Sequence, residues 1–173
     1  MRRTNPTTTV LGIDPGLGTC GWACVTMDGD QSTLIDAGAI RTKPADPMSI
    51  RLLSICNQIR DLVLSHSPHE VAIEDVFLAK DARAAFALGQ ARGAAIVGAA
   101  LAGCNVHTYS ALQVKQSVTG NGRASKEQVG FMVQRLLSLG EPMHPVDSSD
   151  AAAIAICHLS RCRHHAVMAG ETR

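Results

Sequence analysis

Thr8-Thr9-Val10-Leu11-Gly12-Ile13-Asp14-Pro15-Gly16 is the stretch from which the rest of the chain is read. An apolar run from Val10 to Ile13 stops at an acid, and Pro-Gly follows, the punctuation that ends a strand sharply. A strand over Thr8–Asp14 without polar alternation is one buried on both faces. Downstream, Cys20–Met27 and Thr33–Thr42 read as two further strands, and Asp28-Gly29-Asp30 between them is short-hairpin material. The three make an antiparallel meander.

Beyond Pro44 and Pro47 the period changes. From about Ser49, Leu52, Leu53, Cys56, Ile59 and Val63 recur at helical spacing, with an end near Ser67-Pro68. Val71–Phe77 reads as a strand, an Ala-rich helix follows from about Asp81 to Ala102, and Asn105–Tyr109 is another short strand. Ser110 with Gln113, and Ser125 with Gln128, have the spacing of capping boxes that start two helices separated by Gly120-Asn121-Gly122. The second should stop at Gly140, and a last helix runs from Val146 or Asp147 to about Arg161. A meander followed by alternating helices and strands predicts an α/β fold, with a mixed central sheet and helices on both faces.

The 173 residues suit about one domain at roughly 150 residues per domain. We expect a single domain over residues 8–163, with flexible tails at 1–7 and 164–173. With 46% apolar and 18% charged residues the chain is neither disordered nor solvating, and with 3% aromatics its core must be Ala, Val, Ile and Leu. Six cysteines scattered in apolar runs fit free thiols in a reducing cytoplasm. Arg2 and Arg3 precede an apolar run that Asp14 cuts too short for an export signal. Gly93–Val114 is uncharged, but Asn105, His107, Thr108, Ser110 and Gln113 make a membrane span untenable.

Bulk charge is near neutral, at 16 basic and 15 acidic residues, but its distribution is uneven. Lys80, Arg83, Arg92, Lys115, Arg123 and Lys126 are accompanied between them only by Asp81, a one-sign stretch that suits an anionic partner as well as solvated helix faces.

Four carboxylates stand in unusual places: Asp14 and Glu74 at the ends of otherwise buried strands, and Asp147 and Asp150 at i, i+3 on the start of a helix. Singly they also read as a turn former, a strand-end acid, an N-cap and a macrodipole partner. Together, on three elements, they are the hard-oxygen set that holds two Mg²⁺ or Mn²⁺ ions about 3.5–4 Å apart, the arrangement used in phosphodiester hydrolysis. Setting them aside leaves 16 basic residues against 11 acidic, which suits a polyanionic substrate.

Six ordered motifs then carry a resemblance. Leu11-Gly12-Ile13-Asp14-Pro15-Gly16, Ile73-Glu74-Asp75-Val76-Phe77-Leu78-Ala79-Lys80, Leu88-Gly89-Gln90-Ala91-Arg92-Gly93, Gln113-Val114-Lys115-Gln116, Gly120-Asn121-Gly122-Arg123-Ala124-Ser125-Lys126 and Asp147-Ser148-Ser149-Asp150-Ala151 resemble the successive motifs of the RuvC family of bacterial Holliday-junction resolvases, from about Val10 to His158. The resemblance implies an RNase H-like fold and a homodimer. It also implies symmetric, Mg²⁺-dependent nicking of two strands of like polarity in four-way junction DNA, during recombination and repair alongside the branch-migration complex of RuvA and RuvB. It places Asp14, Glu74, Asp147 and Asp150 on the family's metal-binding acids; some members carry His at the position of Asp150. Lys115 and Lys126 fall on basic residues near the scissile phosphate or DNA backbone, and Phe77 on an aromatic that meets bases at the junction centre. Lys80, Arg83 and Arg123 complete the expected DNA-binding set.

The residues leave other readings beside these. Phe77 at a strand end can stack on an unpaired base or sit in the core. The loop ending in Arg123 can present the Ser125-capped helix to a phosphate or serve as a connector. Gly89, Gly93 and Ala94 suit a dimer seam or intramolecular packing. His158, Cys162 and His165 lie at i, i+4, i+7 and could bind zinc, although a partly buried helix with a basic end accounts for them too. An actin-like kinase would need a second domain that 173 residues do not provide. A non-catalytic junction-binding protein and an RNase H-like nuclease for another branched or RNA-containing substrate are the remaining alternatives.

Overall fold

A computed structural model describes residues 7–75 and 82–168, the last four by backbone only. Among these residues, five strands form one sheet in the order β3-β2-β1-β4-β5: β1 (Thr8–Asp14), β2 (Thr19–Asp28), β3 (Gln31–Arg41), β4 (Glu70–Glu74) and β5 (Asn105–Tyr109). The first three strands pair antiparallel, whereas β4 runs parallel to β1 and β5 parallel to β4. This is the mixed sheet the sequence predicts. Gly29 takes φ +58° in the β2–β3 turn, a left-handed conformation that favours glycine.

Among the described residues, five helices cover the sheet: α1 (Met48–His66), α2 (Ala82–Leu101), α3 (Ala111–Thr119), α4 (Lys126–Leu136) and α5 (Val146–Met168). Alternation along β1 divides the core. Leu11 and Ile13 pack with Val71 and Ile73 against Ile55 and Ile59 of α1 and Ala91 and Ala95 of α2. Val10 and Ala72 face the other way, toward α5 and beyond it α3 and α4. Central α5 lies between the sheet and those two helices, so Ala151 through Cys157 are all buried and the helix is apolar all round there. The helix sits low on the sheet because two strand positions lack side chains. A Cβ on Gly12 would stand 2.0 Å from the Ala151 carbonyl oxygen, and one on Gly21 2.1 Å from that of Asp147.

Both predicted capping boxes form. Ser110 Oγ accepts from the Gln113 N–H at 3.3 Å while Gln113 Oε1 accepts from the Ser110 N–H at 2.9 Å, and Ser125 and Gln128 repeat the exchange. Other boundaries move. The β2–β3 loop is tighter than expected, with β3 starting at Gln31, and α4 ends at Leu136 rather than near Gly140, where Ser138 turns left-handed at φ +54°. Expected to end near Arg161, α5 instead continues to Met168, past the boundary drawn at 163. Its last turns are held by His158 and Cys162 against Glu70, and by Arg163 paired with Asp30.

All six cysteines are free. By length and composition α2 could cross a membrane; in the fold its Ala91, Ala95 and Ala99 are buried, and Gly98 lets the α1 backbone approach, since a Cβ there would lie 2.3 Å from the Cys56 carbonyl oxygen. The uncharged run from Gly93 to Val114 is divided among α2, β5 and α3.

Candidate active site

Parallel pairing of β1 with β4, with Ile13 opposite Ile73, sets the last residues of the two strands side by side. Those residues are Asp14 and Glu74, each on the α5 face by alternation from Gly12 and Ala72. The close approach at Gly12 and Gly21 lays the first turn of α5 across the same strand ends, bringing Asp147 and Asp150 with it. Four acids from β1, β4 and α5 thus meet at one place.

Their electrostatics record the crowding. Burial first, then Glu74, Asp150 and Asp147, push the Asp14 carboxyl up from 3.8 to about 7, against a smaller opposing pull from Lys126. Burial and Asp150 also raise Glu74, with Lys115 and Lys126 opposing. Lys126, the first residue of α4, bonds Asp150 through Nζ–Oδ2 at 2.6 Å, and that bond holds the ammonium pKa above its usual value. A cleft of about 220 Å³ is lined by Asp14, Glu74, Asp150, Lys115 and Lys126 over an apolar floor that includes Val114 and Ile154. Asp147 is not part of the lining but is close enough to raise Asp14.

The donor set fits hard divalent cations: carboxylate oxygens from three elements, whose burial and mutual repulsion raise two pKa values, the repulsion being relieved by positive charge. The ammonium groups of Lys126, whose side chain is 58% exposed, and of Lys115 answer that repulsion in part.

The remaining expected residues scatter. Arg123 is exposed in the loop before the α4 cap, where Asn121 Oδ1 accepts its backbone N–H at 2.9 Å. Arg83 is exposed in the first turn of α2. Phe77 and Lys80 lie outside the described residues. The sequence singled out neither glycine, Gly12 or Gly21, as the reason α5 reaches the site; two glycines on buried strands were the available signal. Arg92 stands in the basic stretch and in one of the six motifs, where the sequence assigns it no role at the site. It donates to the Glu74 carbonyl oxygen at 3.1 Å and to Thr108 Oγ1 at 2.8 Å, and its guanidinium lies 3.5 Å from Asp75, so it pins the end of β4 where Glu74 sits.

Comparison with known proteins agrees with this fold. The family model for "Crossover junction endodeoxyribonuclease RuvC" matches residues 10–158. A curated protein of that name from Geobacter sp. (strain M21) is 45% identical over 161 residues, 93% of this chain and 98% of that one. Thermus thermophilus RuvC superposes with a TM-score of 0.85 at 34% identity, covering 91% of this chain and 97% of that one. The same protein in complex with Holliday junction substrate gives 0.87 at 33%, covering 91% and 96%. The fold is therefore RNase H-like, and the chain belongs to the RuvC family of crossover junction endodeoxyribonucleases.

Proposed function

We propose that this protein is a structure-specific endonuclease that resolves four-way DNA junctions by hydrolysing one phosphodiester in each of two strands of like polarity. The observation that carries the reading is the convergence of Asp14, Glu74, Asp147 and Asp150 at the ends of β1, β4 and α5, where burial, and after it their repulsion, lifts Asp14 to about 7. Family membership and the junction bound to the Thermus thermophilus relative support the substrate.

In this reading the four acids hold two Mg²⁺ ions, with Mn²⁺ able to substitute; when bound, such a pair supplies an activated water and charge stabilisation at the leaving oxygen. The protein's own groups do the rest. Asp14 gives up its proton to become a ligand, and Lys126 must release Asp150. Its ammonium and that of Lys115, both bordering the cleft, are then free to hold the phosphate flanking the cut. Arg92 keeps Glu74 at the strand end, and the apolar floor of Val114 and Ile154 keeps the carboxylates from being fully hydrated. Arg83 and Arg123 would contact DNA farther from the cut, and Lys80 and Phe77 belong to the same DNA-binding set.

Symmetric nicking calls for two such sites, hence a homodimer. Exposed Phe86, Val97 and Leu101 give α2 an apolar outer face, and among the described residues Cβ atoms on Gly89 and Gly93 would meet nothing within 4 Å beyond their own helix, which leaves room there for a second copy. Work on chromosomal junctions puts the protein in the cytoplasm, beside RuvA and RuvB. The test is a set of single substitutions, Asp14→Asn, Glu74→Gln and Asp147→Asn, assayed on a synthetic junction. Each should slow cleavage at least about 100-fold while retaining junction binding; normal cleavage by any of them would remove that acid from the site.

A further inference from the structure

The spacing of His158, Cys162 and His165 on one helix suggested a zinc ligand set, and the fold gives two of those residues different companions. Along β4, the α5 face carries Glu74 at one end and Glu70 at the other, about 13 Å away at strand rise. His107 of β5 pairs with Ala72 and so shares that face. The Glu70 carboxylate stands between two imidazoles, Oε1 3.1 Å from His107 Nε2 and Oε2 2.5 Å from His158 Nε2. Cys162 Sγ is 3.3 Å from His158 Nε2 and 3.8 Å from Glu70 Oε2.

We propose that Glu70, His107, His158 and Cys162 form a zinc site, separate from the carboxylate cluster, that clasps α5 to β4 and β5. The chemistry selects the metal. Two imidazoles, a thiolate and a carboxylate are the mixed nitrogen, sulfur and oxygen donors of four-coordinate zinc and are unsuited to Mg²⁺, which takes oxygen. With bonds of about 2.0–2.3 Å, a tetrahedral site has ligand atoms roughly 3.3–3.8 Å apart. Of the six spacings among four ligand atoms, the two from Cys162, to His158 and to Glu70, already lie at 3.3 and 3.8 Å. His107 stands slightly close to Glu70 at 3.1 Å and the Glu70–His158 pair must open. Glu70, His107 and His158 have ligand atoms all within 4.8 Å of one another, and Cys162 must swing in to join them. Charge also balances, because one carboxylate and one thiolate neutralise Zn²⁺; the thiol proton leaves to solvent as the Zn–S bond forms.

The surroundings are those of a supported site. His158 is 1% exposed, and its Nδ1 lies 2.6 Å from Tyr109 Oη, so with Nε2 on zinc the other ring nitrogen keeps a hydrogen bond that fixes the ring. His107 is 42% exposed along its side chain and gives the ion a way in. His158 lies eight residues beyond Asp150 on α5, about 12 Å along the helix, so zinc here would fix the orientation of the helix whose first turn carries Asp147 and Asp150.

The test uses the full-length protein with excess Mg²⁺ present to occupy the acid cluster. Zinc is titrated against a chromophoric chelator, and Co²⁺ substitution is followed by absorption. One zinc per chain should bind to the wild type and equally to Asp14→Asn. His107→Ala and Cys162→Ser should weaken it at least tenfold, and the thiolate-to-cobalt band should vanish in Cys162→Ser. The proposal is overturned if the wild type retains no zinc, if Cys162→Ser binds as tightly as wild type with an unchanged cobalt spectrum, or if Asp14→Asn abolishes binding. Should His107→Ala fail to fold, the cobalt spectrum of Cys162→Ser decides alone.

Discussion

Replacing Asp14 with Asn should make the metal-free protein more stable while removing its cleavage activity. Asp14 is an acid whose folded pKa, about 7, lies above its ordinary 3.8, because burial and three neighbouring carboxylates disfavour its charge. The folded chain therefore holds this proton more tightly than the unfolded chain. Stability falls as pH rises from about 4, and the loss is complete above about 7. The displacement corresponds to roughly 4 kcal/mol at pH 8 as an upper bound, and roughly 2–4 kcal/mol once neighbouring acids move apart. Asn, isosteric and neutral, escapes that penalty. For a domain of this size the gain is about 5–10 °C in melting temperature. The assay is thermal unfolding of both proteins in EDTA at pH 8, 5 and 4. The advantage of the variant should be largest at pH 8, less than half as large at pH 5, and only about an eighth as large at pH 4. With saturating Mg²⁺ it should shrink, since the ion stabilises only the wild type. An Asp14→Asn protein that melts at or below the wild-type temperature at pH 8 in EDTA would refute the electrostatic account of the site.

Three further outcomes follow from the same geometry. Because Asp14 must lose a proton to become a ligand, Mn²⁺ affinity should fall about tenfold for each pH unit below 7, read by calorimetry in buffers of different ionisation enthalpy; a pH-independent affinity between 5 and 7 contradicts this. Gly12→Ala places a methyl against the Ala151 carbonyl oxygen and must lift α5 from β1, costing about 3 kcal/mol and displacing Asp147 and Asp150. Unfolding and junction cleavage should both suffer, and an unchanged melting temperature would show that the helix is not seated by this contact. Lys115→Ala and Lys126→Ala should each weaken junction binding and lower its salt slope by about 1, and only Lys126→Ala, by freeing Asp150, should also tighten Mn²⁺. An unchanged salt slope would remove that lysine from the phosphate path.

Much of this fold could be read from local chemistry. The β1 run and its Asp-Pro-Gly end, the Gly29 turn and the two Ser-Gln capping boxes are each decided by neighbours a few residues apart, and each forms where expected. The four acids were legible for other reasons: Asp14 and Glu74 end apolar strands, where a carboxylate is costly unless a cation meets it, and Asp147 and Asp150 stand at i, i+3 on one helix face. Less legible were features set by long-range packing. Nothing near Gly12 or Gly21 says that a helix more than a hundred residues later will rest on them. The end of α5 was misjudged because its polar last turns look frayed in isolation, whereas Glu70 and Asp30, distant in sequence, hold them. Likewise the spacing of His158 and Cys162 hinted at a ligand set, but Glu70 and His107 join them only through the parallel register of β4 and β5.

Purified protein incubated with a mobile four-way DNA junction, and with a linear duplex of the same sequence, each with Mg²⁺ or EDTA, tests the central claim most directly. The account predicts paired nicks at symmetric positions in two strands of like polarity, in the junction alone and only with Mg²⁺. A junction that is bound but left intact under every metal condition, or a duplex cut as readily as the junction, would contradict it.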